Sequence, residues 1–541
     1  MRRSRQTLAG LMALALLSGP VHAQSIDAGA DLAGSLQAVC DTYVTNPATS
    51  AGLSLAVQRA GEPPVLLQCG LADIASGRAI EAGTVFHLAS LTKQFVALEA
   101  LILRDRGVLD LDAPVDVYTG PIARTDVPTI RQMLHHMSGF YEHWAQSRLV
   151  DVPTGTLAEI TALITAQDSS NFEPGSNFAY TNANYVLLTD VLQRIDGRSL
   201  PQMLGEDVFA PLGMTGAGFP VADPDGFQGR ATGYSGPADV PEAVDYVFSD
   251  ILGDGGLYSS APELLLWLAE LRDQSLGQFT AERTESGHLR NGADTHYGLG
   301  LHVSPVDGDV LVHHGGGNRG ASSWIGYLPG GDVSIVVLAN SDSLNAEQIG
   351  FDILAAVTAQ QVNFASLPAP SPPLADVAGL YAGAFNGDPI LLQLTPGTDR
   401  VLIGVPGGEP RQYLPGESGA HYRSDLPDLE VRAGLSGDLN FFYLGRPFEQ
   451  LYRIEPRAGA VEGFAGRWRS PSLPGRDWLI EPAEDGLQLS GGAAPPVRLE
   501  PVLPGVWLDR ASSAYLWLDD DARLVLTRSG IRAITLMRAG D

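Results

Sequence analysis

Four stretches of the chain, residues 95–106, 157–167, 185–195 and 261–271, repeat their apolar positions every three or four residues, which predicts helices. On either side the pattern changes. Residues 52–58 and 65–69, and then 310–314, 323–328 and 333–339, are short apolar runs with the length and β-branched content of strands. One sheet that draws strands from both ends, with helices inserted between them, accounts for this order. Leu367-Pro-Ala-Pro-Ser-Pro-Pro-Leu374 follows neither period and reads as a stiff linker. Beyond it come only short alternating runs, such as 390–394 and 515–518, separated by Gly, Pro and Asp. That texture predicts an all-β barrel or sandwich.

The tail also repeats itself. Val377-Ala-Gly-Leu-Tyr381 and Phe464-Ala-Gly-Arg-Trp468 stand 87 residues apart, and each opens a run of about eighty residues. The predicted organisation is therefore an α/β unit over 24–365, a Pro-rich linker over 366–374, and two small β-barrel units over 375–456 and 460–541. Residues 1–23 stand apart from all of these. Arg2, Arg3 and Arg5 precede an apolar run from Leu8 to Leu17, and Val21-His22-Ala23 supplies small residues for cleavage after Ala23. This is a secretory leader, too short to span a membrane, and it places the mature chain in the periplasm or outside the cell.

The formal charge is −28, and removing the three leader arginines takes it to about −31. Such a surface repels nucleic acid and anionic lipid, and no basic patch opposes this. Cys40 and Cys69 are the only cysteines. In an oxidising compartment a bridge between them and a pair of buried thiols are both open readings. Neither cysteine has a partner at metal spacing. His135 and His136 lack the carboxylate or third histidine of a metal site and read as packing residues. No metal or cofactor is expected.

Against 33 arginines there is one lysine, Lys93, three residues after Ser90 in His87-Leu-Ala-Ser-Leu-Thr-Lys-Gln-Phe. What arginine cannot do is lose its proton near neutral pH, and a desolvated ammonium can. On a helix, Ser-x-x-Lys puts hydroxyl and amine one turn apart on one face. Downstream, Tyr180-Thr-Asn182 follows a Pro-Gly turn, and Val312-His-His-Gly-Gly-Gly317 ends a strand.

With these three elements in this order, the chain resembles the serine β-lactamase and penicillin-binding protein superfamily, on its class C-like branch. Family-like stretches run through most of residues 50 to 345. Among them are Leu134-His-His-Met-Ser-Gly139, Gly253-Asp-Gly-Gly-Leu-Tyr-Ser259 and Tyr297-Gly-Leu-Gly300. With two β units behind the catalytic part, the layout resembles the D-aminopeptidase type, whose barrels are lipocalin-like. The resemblance implies an antiparallel sheet flanked by helices, with an inserted helical region.

It also implies roles. Ser90 would be the nucleophile, and the N–H groups of Ser90 and Gly317 would stabilise the oxyanion. Lys93, held neutral by burial and positive neighbours, would take the serine proton, and Tyr180 would protonate the leaving group. Which of Lys93 and Tyr180 is the primary base stays open. Asn182 would bind both Lys93 and a substrate carbonyl. His314, in preference to His313, would stand where the family has lysine and, with Gly315 and Gly316, meet the substrate. In the D-aminopeptidase type a loop of the second barrel reaches the site; here that places Asp509, in Trp507-Leu-Asp-Arg-Ala-Ser-Ser-Ala-Tyr515, as a contact for a substrate ammonium.

The expected function is an exported serine hydrolase acting on small peptides or amides that contain D-amino acids, cell-wall peptides among them, as a D-aminopeptidase or D,D-peptidase. A broad esterase or weak β-lactamase, and a penicillin-binding sensor without turnover, are the alternatives. The absence of a Gly-x-Ser-x-Gly elbow argues against an α/β-hydrolase.

Overall fold

Strands from the two ends of the first unit meet in one sheet. In the computed structural model, β1 (Leu53–Arg59), β2 (Val65–Cys69), β3 (His302–Val306), β4 (Asp309–Asn318), β5 (Ala321–Leu328) and β6 (Val333–Ala339) run in the order β2-β1-β6-β5-β4-β3. Every pair is antiparallel, with Leu55 opposite Val337 and Ile325 opposite Val336. The structure describes residues 32–539 apart from short internal stretches, of which the longest is 359–372. The leader and residues 366–372 of the linker lie outside the described residues.

The central strands are apolar on both faces because both faces are covered. Leu53, Leu55 and Val57 of β1, with Val333, Ile335 and Val337 of β6, pack on α1 (Leu32–Tyr43) and α6 (Ala346–Thr358). The alternate residues Ala56, Val336 and Leu338 join the opposite core. That core also holds α2 (Thr92–Asp105), α3 (Leu157–Thr165), α4 (Asn182–Asp196) and α5 (Ala261–Asp273). The four helices predicted from periodicity correspond to α2–α5. A disulfide joins Cys40 to Cys69 and ties α1 to β2. Of the two readings left open for these cysteines, the structure takes the bridge.

Two closed eight-stranded barrels follow. The first runs from Gly379–Phe385 to Arg446–Ile454, closed by pairing of Leu380 with Ile454. The second runs from Gly466–Arg469 to Ile531–Arg538, closed by pairing of Trp468 with Arg538. The sequence repeat has a physical basis. Tyr381 donates its hydroxyl to the carbonyl of Val377, and Trp468 donates its indole N–H to that of Phe464 at 2.9 Å. In each copy the aromatic residue four positions on pins the start of its barrel.

The second barrel is docked on the first unit. Tyr141, Ala145, Leu149, Val150 and Leu163 share one apolar cluster with Trp468, Trp478 and the barrel interior. Hydrogen bonds reinforce the joint: Tyr141 Oη to the Ala533 carbonyl at 2.7 Å, Gln146 Nε2 to that of Ser472 at 2.6 Å, and Arg528 Nη1 to that of Ala145 at 3.2 Å. Among the described residues no helix is long and apolar enough to cross a membrane.

Candidate active site

Ser90 lies in one 3₁₀ turn, Ala89–Leu91, that runs directly into α2. Ala89 is held at φ 48°, a left-handed conformation that costs a residue with a Cβ. The Thr92 hydroxyl secures the turn by donating to the Ala89 carbonyl at 2.7 Å. Strand β4 passes so close that a Cβ on Gly316 would stand 2.3 Å from the Leu88 carbonyl oxygen and 3.2 Å from the Ser90 nitrogen. Glycine at this position is what lets the strand approach the nucleophile.

One helical turn on, Lys93 is fully buried. Its Nζ stands 3.1 Å from Ser90 Oγ, 2.8 Å from Asn182 Oδ1 and 2.7 Å from the carbonyl oxygen of Asp254. The last two atoms can only accept. A neutral amine therefore donates both its hydrogens to them and turns its lone pair to the Ser90 hydroxyl. Burial pushes the amine down to about 8, while the Asp254 and Glu142 carboxylates pull it back up. The expected positive neighbours are not what holds Lys93 neutral: the charges that act on it are carboxylates, and desolvation alone supplies the depression.

Tyr180 and Asn182 flank Thr181, the N-cap of α4, whose hydroxyl accepts from the Ala183 N–H. Lys93 Nζ lies 4.9 Å from the centroid of the Tyr180 ring. Burial, with Asp254 and Glu142, raises the phenol above its ordinary value, against the opposing pull of the Ser90 hydroxyl. The residue as a whole is 37% exposed, which tempers the size of that rise and not its sign. The phenol thus keeps its proton at neutral pH while the amine approaches loss of its own. This assigns the base to Lys93 and the proton donor to Tyr180.

Glu142, which no sequence pattern singles out, is buried behind the site. Its Oε2 accepts from the Asn182 N–H at 2.8 Å and its Oε1 lies 3.0 Å from His143 Nδ1. His136, at φ 55°, packs its ring 4.2 Å from that of Tyr180 and accepts the Thr181 N–H on Nδ1. His135 instead faces the Tyr297 carbonyl. Both are packing residues, one of them against the phenol.

On β4 the two neighbouring histidines face opposite sides of the sheet. His313 packs toward Trp324 and Phe351, and His314 toward Tyr297 and Tyr180. This is the frame expected for His314, but its role differs. The ring is 3% exposed, with Nε2 3.0 Å from Tyr297 Oη and Nδ1 2.5 Å from the Gly315 carbonyl. It backs the Tyr180 side of the site and does not border the pocket. Gly315 and Gly316 likewise allow close packing, against Glu347 and the Ser90 turn, and do not border it. Gly317 does border it, together with Ser90.

Asp509 needs correcting more fully. It is 2% exposed at the end of Val506–Asp509 and accepts the Ser512 hydroxyl at 2.6 Å. A short barrel turn consumes this carboxylate, and it takes no part in the pocket.

That pocket, about 400 Å³, opens over Ser90. Asn182, Gly317 and Asn318 form one side, and Trp144, Tyr246, Tyr258, Ile251 and Leu252 supply its apolar walls. His87 borders it as a neutral ring: burial pushes it down to about 4, and its Nδ1 accepts from the Ala89 N–H. Trp144 and Glu142 lie on the segment that the second barrel supports, which connects the barrel to both pocket wall and Asn182.

A serine made nucleophilic by a neighbouring neutral amine, beside a phenol that keeps its proton, defines a hydrolase working through an acyl-enzyme. The chain belongs to the Beta-lactamase family, whose model matches residues 41–360, more than half of its length. It is 27% identical over 466 residues to a D-aminopeptidase of Cereibacter sphaeroides, spanning 81% of this chain and 84% of that one. Identity to a D-aminopeptidase of Gluconobacter oxydans is 27% over 461 residues, 82% of each chain. Among solved structures, a penicillin-binding protein homologue from Pyrococcus abyssi superposes with a TM-score of 0.55 at 22% identity, covering 78% of this chain and 100% of the other. D-amino acid amidase from Ochrobactrum anthropi, bound to D-phenylalanine, gives 0.52 at 22% identity, covering 61% and 99%. These two likenesses concern the fold. The protein is a serine hydrolase of the β-lactamase-like type.

Proposed function

We propose that the protein cleaves the amide bond on the carboxyl side of D-amino acids, in short peptides or amides, as an aminopeptidase or amidase. The observation that carries the chemistry is the Lys93 amine, its two hydrogens directed at the carbonyls of Asn182 and Asp254 and its lone pair at Ser90. The D-aminopeptidase relatives support the choice of substrate.

In acylation Lys93 takes the proton of Ser90 as Oγ bonds to the substrate carbonyl carbon. The oxyanion is received by the N–H groups of Ser90 and Gly317. As the carbon–nitrogen bond breaks, Tyr180 gives its proton to the leaving nitrogen and regains one from Lys93. Water then loses a proton to the same pair, attacks the ester, and Ser90 leaves with its proton restored. Asn182 fixes the amine, and Glu142 fixes Asn182 through its N–H.

We place this activity outside the cytoplasm, on fragments such as cell walls supply. The leader-like start of the sequence and the Cys40–Cys69 bridge support this location.

The test is labelling with a fluorophosphonate, followed by rates on D-Ala-p-nitroanilide, its L-isomer and p-nitrophenyl butyrate. The expected outcome is one label, on Ser90, lost in Ser90→Ala, with the D-anilide cleaved at least about tenfold faster than the L. Labelling at another residue would refute the mechanism, and a preference for the ester over both anilides would replace the peptidase reading with an esterase.

A further inference from the structure

We infer that Asp254 is the anchor for a positively charged amino group on the substrate, and that it makes the pocket select free-amino substrates over carboxylate-bearing ones. This rests on the reading of the protein as a hydrolase of D-amino-acid amides and names what that substrate must carry.

Of the described residues that border the pocket, Asp254 is the only one with an ionised side chain, since His87 is neutral. No hydrogen bond or ion pair reaches its carboxylate from the described residues; its recorded partner, Lys93, is bonded to the backbone carbonyl. The charge is therefore uncompensated in the free enzyme, while its field is felt by Lys93, Tyr180 and His143.

The position is fixed as well as charged. Gly253 and Gly256 hold the loop in left-handed conformations, φ 101° and 95°. A Cβ on Gly253 would strike Thr189 Oγ1 at 1.9 Å, so the loop is packed onto α4. The carbonyl of Asp254 is tied to Lys93 at 2.7 Å, and Lys93 to Ser90, so the carboxylate is set in register with the nucleophile. The α-amino group of an amino-acid amide lies two bonds from the carbonyl carbon that Ser90 attacks. An anchor for it belongs next to the nucleophile, on an element the catalytic lysine holds.

The apolar walls, Tyr246, Tyr258 and Leu252, leave room for the side chain, and no arginine or lysine among the described residues lines the pocket. A substrate with a carboxylate beside the scissile bond, such as a penicillin or a C-terminal peptide, meets a negative charge and no counter-charge.

The test compares kcat/KM for D-Ala-p-nitroanilide with its N-acetyl derivative, in wild type and in Asp254→Asn. The wild type is expected to favour the free amine, and the variant to lower the ratio of the two by roughly tenfold or more, mainly through KM. Any loss common to both substrates cancels in the ratio. A wild type indifferent to acetylation, or a variant with an unchanged ratio, overturns the assignment.

A parallel readout is inhibition of p-nitrophenyl butyrate hydrolysis by D-phenylalaninamide and by its N-acetyl form. Inhibition by the free amine alone, weakened in Asp254→Asn, supports the anchor even if neither anilide is cleaved. That result would refute the peptidase reading and leave the anchor standing, so the two failures are distinguishable. Equal inhibition by both compounds overturns the anchor.

Discussion

The first barrel places Leu380, Ala382, Leu391 and Ile454 against Val506, Tyr515 and Trp517 of the second, and among the described residues no apolar cluster joins it to the hydrolase unit. Only Arg432 is felt there, by His296. The second barrel has the same eight strands and the same pinned start, yet its cluster of Trp468, Trp478 and Ile534 includes Tyr141, Ala145 and Leu149 of the hydrolase unit. Between those residues stand Glu142, which holds Asn182, and Trp144, which lines the pocket. The difference teaches that closeness to a site need not mean contact with its substrate. No described barrel residue borders the pocket, but the second barrel fixes the segment that does.

Substitutions in the two barrels should separate on this basis. The largest effect is expected from Trp478→Ala. The indole is fully buried in the shared cluster, and its loss should cost about 3–5 kcal/mol in denaturant melts. Activity should fall with it. Next comes Gln146→Leu, which leaves the Ser472 carbonyl and the Gln167 amide without their partner. A stability loss of about 1–3 kcal/mol is expected, with a severalfold drop in kcat/KM as Glu142 and Trp144 loosen. If stability falls and kcat/KM does not, the second barrel is no brace. The smallest effect belongs to the first barrel: Tyr381→Phe removes the bond to Val377, costs about 1 kcal/mol and leaves kcat/KM as it was. A change in turnover there would erase the distinction between the barrels.

Much of this was legible in the sequence, and the reasons differ by residue. Ser90 and Lys93 are one turn apart on a helix, so spacing alone sets them together. The repeat around Tyr381 and Trp468 marks the opening of each barrel because one aromatic bond is made twice. Glu142 escaped notice because it meets Asn182 through tertiary packing, 40 residues on, and lies in a loop without a period. Asp254 bonds Lys93 through its backbone, which residue type does not reveal. His314 was expected to meet substrate; strand alternation gives its side of the sheet, but only packing shows that Tyr297 is its partner. Asp509 was placed by analogy with a loop, and here the strand ends in a turn that uses its carboxylate internally.

The central claim is that Lys93 acts on Ser90 as a neutral amine. The direct measurement is the pH dependence of the rate at which a fluorophosphonate acylates Ser90, in wild type and Lys93→Arg. Below its pKa the amine is protonated and cannot accept, so the wild-type rate should rise with pH through about 8. Because the Tyr180 phenol is raised, no fall should follow until well above its ordinary range. Lys93→Arg should acylate about 10²- to 10⁴-fold more slowly at every pH. A wild-type rate that stays flat from about pH 6 to about 9, or an arginine variant that labels as fast as wild type, would contradict the account.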